Sequence, residues 1–144
     1  MHSYGARKRI VLAAVMVVLG LTGCGSKGPK TYAVNGKLEL PHGDVSALAG
    51  HNIEVALESD PLVRAAGQIQ ENGVFTLETL TGGEIRNGAL EGTYKARLVV
   101  VDDDAESKRR ALAAIDPRYL QFEGSGLSFH VPAKDVVKLQ VSPR

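Results

Sequence analysis

The 144-residue chain has no tryptophan, three phenylalanines, four tyrosines and one cysteine. With a single thiol, no disulfide can close within one molecule and a cysteine-rich metal site is excluded. The aromatic platforms of a carbohydrate-binding module are thinly represented, because most Phe and Tyr residues fall at core-like positions; that class stands only as an alternative. Lys and Arg number 17 against 16 Asp and Glu, so the basic footprint of a nucleic-acid-binding domain is missing. Nor is there an apolar run of the roughly 20 residues that a membrane-spanning helix needs. The run from Ile10 to Leu21 has 12.

The setting of that run is informative. Arg7, Lys8 and Arg9 precede it and Leu21-Thr22-Gly23-Cys24 follows it, which is the layout of a secretory signal. An ordinary signal ends in an A-x-A-like site, whereas here small residues lead directly into the one thiol. This resembles the lipobox of bacterial lipoproteins, whose cysteine is thioether-linked to diacylglycerol and becomes the acylated first residue after cleavage. The resemblance implies a signal peptide over 1–23, lipidation at Cys24, and a tether over 24–30 that ends in Gly28-Pro29-Lys30. It also implies export and attachment to a bacterial cell membrane, on the periplasmic face or at the cell surface. Several acyl chains, at about 0.8 kcal/mol per buried methylene, make such attachment durable. Three of the basic residues and none of the acidic ones precede Cys24, so the chain from there on carries 14 against 16, a net of −2. Its 121 residues suit one domain with one core.

From Tyr32 onward, period-two alternation dominates. Tyr32, Val34, Leu38 and Leu40 share one face of a first strand; Ile53, Val55 and Leu57 mark a second, and a third runs near Val63 to Gln70. Glu71-Asn72-Gly73 predicts a tight turn in which Asn-Gly supplies positive backbone angles. Phe75 and Leu77 mark a fourth strand, Tyr94, Ala96, Leu98 and Val100 a fifth, Leu127, Phe129 and Val131 a sixth, and Val137, Leu139 and Val141 a seventh. Glu106 to Ile115 is the one helical candidate. Seven short amphipathic strands separated by Gly, Pro, Asn and Asp predict an all-β domain over 31–144, a seven-stranded antiparallel Greek-key sandwich.

Three phrases add a family resemblance. Residues 34–40 (VNGKLEL), 71–77 (ENGVFTL) and 90–100 (LEGTYKARLVV) resemble, in order and spacing, the carboxypeptidase regulatory-like domain of the transthyretin-like (prealbumin-like) sandwich group. Residues 115–131 resemble the continuation found in small lipid-anchored members. Leu90 stands where that group usually has proline, and Glu71 where it has aspartate. The resemblance implies a noncatalytic module of an exported protein. It also brings an alternative, a small periplasmic hydrolase of the transthyretin-like group, but that branch ends in Tyr-Arg-Gly-Ser and this chain ends in Val-Ser-Pro-Arg.

Few residues ask for chemistry. Ser125 lies in Glu-Gly-Ser-Gly-Leu, which is not the G-x-S-x-G of a nucleophile elbow. Asp102-Asp103-Asp104 lacks the alternating acidic pattern of a calcium loop, and a loop that sets His51 nine positions after His42 is no metal-ligand spacing, so no metal or cofactor is expected. Tyr94, two residues after Gly92, is expected to hold a sandwich corner by bonding back to the main chain a few residues upstream. If strands alternate in direction, the connections His42–His51, Glu71–Gly73 and Asp102–Ser125 share the end away from the tether. His42, His51, Asp102, Asp103, Asp104, Lys108, Arg109 and Arg110 are therefore the candidate surface for an envelope protein partner. The segment Asp103–Ala114 is expected to be replaceable without loss of the fold.

Overall fold

The computed structural model describes residues 28–144. The expected signal peptide over 1–23, Cys24 and the first part of the expected tether lie outside the described residues. Nine strands form two sheets: β1 (Asn35–Glu39), β2 (Asn52–Leu57), β3 (Asp60–Gln68), β4 (Val74–Thr76), β5 (Glu78–Thr81), β6 (Glu84–Asn87), β7 (Gly92–Val99), β8 (Ser128–Val131) and β9 (Val137–Gln140). One sheet has the order β4-β1-β9, the other β6-β5-β3-β2-β7-β8. Helix α1 (Ala105–Ala114), a 3-10 turn at Pro117–Leu120 and the single turn α2 (Phe122–Ser125) fill the connection between β7 and β8.

Alternation places Leu38, Phe75 and Leu139 of the smaller sheet and Ile53, Val55, Ala65, Tyr94, Ala96 and Leu98 of the larger one in a single core. Burying each large side chain of this set stabilises the fold by about 1.5–3 kcal/mol. Tyr94 also stacks on its cross-strand partner Phe129, ring centroids 5.8 Å apart.

The structure departs from the expected seven antiparallel strands in three ways. First, β1 pairs in parallel with β9, from Gly36↔Val137 to Glu39↔Gln140. Second, the strand expected around Phe75 and Leu77 changes sheets: β4 pairs with β1, and β5 with β3. The turn before it has only Gly73 in the left-handed region (φ 80°), not Asn72, and joins strands of different sheets. Third, Glu78–Asn87 is a hairpin with no counterpart among the seven expected strands. Gly82 and Gly83, at φ 59° and 80°, supply the two positive angles that a two-residue hairpin turn demands.

The helical connection is not a removable insertion. Above Lys95, β7 has no strand on its β8 side, because β8 pairs only with Gly92 to Lys95. Ala111, Ile115 and Tyr119 enter the core there, each no more than 2 % exposed. The Tyr119 hydroxyl accepts the Ser142 N–H at 3.0 Å, and Asp116 N–H donates to the Ser142 carbonyl, which fastens the segment to the chain just after β9. Replacing Asp103–Ala114 should therefore open the core, against the expectation from sequence.

The chain enters at one end and its longest loops gather at the other. Tyr32 exchanges both backbone hydrogen bonds with Ala89, at 2.8 and 3.0 Å, and Gly28 lies against the Arg86 guanidinium. From there β7 runs eight residues, Gly92 to Val99, a span of about 23 Å at the usual rise per residue.

Candidate functional site

At the far end, three connections converge. Pro41 turns the chain out of β1, His42 takes a positive φ of 64°, and Asp44 caps a 3-10 turn, Val45–Leu48, by accepting the Ser46 N–H at 2.9 Å. Leu48 anchors this loop in the core. The hydrogen bonds that Ser46 gives Asp44, helped by the charge of Arg110, hold the carboxyl below its ordinary value. The β3–β4 turn joins through Gly50 N–H to the Ile69 carbonyl and Ile69 N–H to the His51 carbonyl. The third connection starts α1 with Asp104 as its cap, accepting the Ser107 N–H at 2.9 Å.

His51 was expected on the partner surface, and the structure buries it at 3 % exposure. Its Nδ1 accepts the Val101 N–H at 3.1 Å, which leaves the proton on Nε2, 3.2 Å from Ser107 Oγ. Both ring nitrogens are thus used to fasten the loop after β7 to the start of β2. His42 is exposed on a different side of this end, lining a hollow with Arg118, Tyr119, Gln140 and Ser142. The two histidines do not form one site.

The charged stretch is exposed but largely self-paired. Lys108 reaches Asp102 at 2.9 Å and Arg109 reaches Glu106 at 2.6 Å. Arg109 holds the Glu106 carboxyl below its ordinary range. Asp103 and Arg110 form no ion pair among the described residues, and both are exposed. The connection leaves this end after Tyr119: α2 lies over the middle of β7, where Lys95 pairs with Glu123 at 3.0 Å.

A second cluster lies on the outer face of the larger sheet. Glu54 sits between Arg64 at 2.8 Å and Arg97 at 2.6 Å, and both guanidinium groups lie over the Phe122 ring, 5.4 and 4.7 Å from its centroid. Sequence alternation points Glu54 outward, yet the cluster depends on β2 being flanked by β3 and β7 in a register that puts Glu54 opposite Arg97. Partial burial pushes the Glu54 carboxyl up, but the hydrogen bonds from Arg64 and Arg97 outweigh it and hold it below its ordinary value. The folded state therefore binds a proton at Glu54 less readily than the unfolded chain does. The resulting stabilisation is present above the ordinary glutamate value and is lost as pH falls through the lowered one. Melting temperatures followed from pH 6 to pH 3 should fall less steeply in Glu54→Gln than in the wild type. Parallel curves would show that the cluster does not couple to folding.

The Tyr94 hydroxyl donates to the Leu90 carbonyl at 3.0 Å, four residues upstream. Burial raises the phenol above its usual value, so it stays a donor at physiological pH. Tyr94→Phe should cost about 1 kcal/mol and lower the melting temperature by a few degrees; an unchanged melt would show that the bond is not stabilising. Ser125 is equally structural in its contacts. It is buried, with Oγ donating to the Ala96 carbonyl at 2.6 Å and accepting the Leu127 N–H at 3.1 Å.

Among the described residues no group of three or more His, Cys, Asp or Glu is placed to hold a metal, and no helix is long and apolar enough to cross a membrane. Comparisons with protein-family models, curated proteins and solved structures returned no match.

Proposed function

We propose that this chain is a lipid-anchored, noncatalytic binding or structural module of the bacterial cell envelope, held through acylated Cys24. It presents the loop end, with His42 on one side and Asp102, Asp103 and Lys108–Arg110 on another, to an envelope protein. The observation that carries this reading is polarity of the fold. The described chain enters beside Arg86 and Ala89, while the loops around residues 42–51, 70–73 and 101–110 meet at the opposite end of the strands. A tether there would hold the loops away from the bilayer, where a protein partner has access. Long loops on a rigid sandwich commonly carry recognition. The prealbumin-like kinship suggested by the three motifs belongs to this reading. It fits two sheets around one core, with the added hairpin and the parallel β1–β9 pair as elaborations.

Reversing two exposed charges at this end, Arg109→Glu with Arg110→Glu, tests the surface. Exposed charges contribute little to stability, so the melt should move by no more than a few degrees. Crosslinking in intact cells, read by mass spectrometry, should lose its protein adducts. Adducts retained at wild-type yield would place the partner surface elsewhere.

A further inference from the structure

Among the described residues four large apolar side chains are exposed: Leu62 at 89 %, Leu80 at 71 %, Ile85 at 70 % and Val136 at 52 %. All four lie at the tether end of the fold. Leu80 and Ile85 are direct cross-strand partners in the β5–β6 hairpin. Leu62 is near the start of β3, and it lines one hollow together with Leu80, Leu90 and Pro29 of the tether. Val136 immediately precedes β9, beside the start of β1. The opposite end exposes no large apolar side chain among these residues.

The alternation of the hairpin is inverted. Thr79 is buried, its hydroxyl donating to the Gly88 carbonyl at 2.7 Å, while its neighbour Leu80 faces outward. A leucine and an isoleucine thus sit in water while a threonine occupies the inner face, a pattern that gains nothing for folding and marks a contact surface.

The length of chain before Gly28 identifies what covers it. Four peptide units separate Cys24 from Gly28, which span at most about 14 Å when fully extended. Acyl chains on Cys24 must sit in a bilayer, so Gly28 cannot stand farther than that from the headgroups, and Arg86, against which Gly28 lies, brings the hairpin to the same side of the fold. We propose that Leu62, Leu80 and Ile85 rest in the headgroup–acyl boundary of the same bilayer that holds Cys24. They fix the tilt of the domain so that the loop end points away. The inference rests on acylation of Cys24. Apolar side chains inserted at this depth, beside basic Lys30 at the chain's entry, match the usual make-up of an interfacial contact.

The lack of tryptophan provides the test. Leu80→Trp and, separately, Ile85→Trp and Asp103→Trp are made in the full chain, purified in the processed form, and reconstituted into phosphatidylethanolamine/phosphatidylglycerol vesicles with or without brominated acyl chains. Mass spectrometry of the Cys24 peptide is read first. With the acyl group present, indole emission from Leu80→Trp and from Ile85→Trp should shift to the blue and be quenched at least twofold by brominated lipid, while emission from Asp103→Trp stays unquenched. Adding Leu62→Asp should weaken quenching in both hairpin variants without changing the melt. An acylated protein whose hairpin indoles are no more quenched than the one in Asp103→Trp overturns the membrane contact and leaves the anchor standing. A blue shift that grows with protein concentration in the absence of lipid also overturns it, showing that a second copy covers the patch. A Cys24 peptide without lipid overturns the anchor, and the contact falls with it.

Discussion

The Cys24→Ala precursor should accumulate uncleaved and free of lipid. In the lipobox reading, the thiol is the nucleophile that takes up diacylglycerol, and the cleaving enzyme acts on the modified residue. Removing one sulfur atom therefore blocks both steps at once. Labelled fatty acid should be incorporated into the wild type and reduced to background in the variant, whose mass should retain residues 1–23. Because the chain has no second cysteine, no other thiol can substitute. A variant that still incorporated lipid, or that matured to the wild-type length, would remove the basis for the anchor. The stability of residues 28–144 should be unaffected, since their core draws on strands and helix that begin well after Cys24.

Replacing Asp103–Ala114 with a short Gly-Ser link should largely unfold the domain. The replacement deletes Ala111 from the core and Ala114 from its margin, and it uncovers Ile115, which is 1 % exposed. It also removes Ser107 from His51 Nε2, leaving a buried ring nitrogen unpaired. Exposing a large buried side chain such as Ile115 forfeits about 1.5–3 kcal/mol, and an unpaired buried polar group costs about 1–3 kcal/mol. Together these approach the roughly 5–15 kcal/mol that holds a typical domain together. Circular dichroism and thermal melting should show a fall of well over about 10 °C, at a few degrees per kcal/mol, or no cooperative transition. A melt within a few degrees of wild type would mean that the sandwich closes without α1.

Much of the sandwich is legible in the sequence because its core strands are amphipathic in the ordinary sense. Ile53, Val55 and Leu57, and Tyr94, Ala96 and Leu98, recur at every second position, and the structure buries all six. The β5–β6 hairpin escapes such reading because its alternation is inverted, with Thr79 inside and Leu80 and Ile85 outside. The parallel β1–β9 pair leaves no local trace, since nothing in either strand specifies a neighbour so distant along the chain. The depth of α1 is hidden by its composition: alanines at 105, 111, 113 and 114 among lysine, arginine and glutamate read as a solvated helix. Small Ala111 is what lets the backbone approach the core closely. At the loop end, the positions of His42, Asp103 and Arg110 follow from strand counting. The role of His51 depends on Val101 and Ser107, 50 and 56 residues away, and sequence spacing cannot show it. For the same reason, the Glu54 cluster becomes visible only when β2, β3 and β7 are in register.

The proposed orientation puts one end of the fold at the membrane and the other toward a partner. It is tested most directly by a photoreactive residue placed at Asp103 and, separately, at Leu80, in the acylated chain in living cells. Protein adducts are expected from position 103, and lipid adducts with no protein from position 80. Protein adducts from position 80 together with none from position 103 would contradict it.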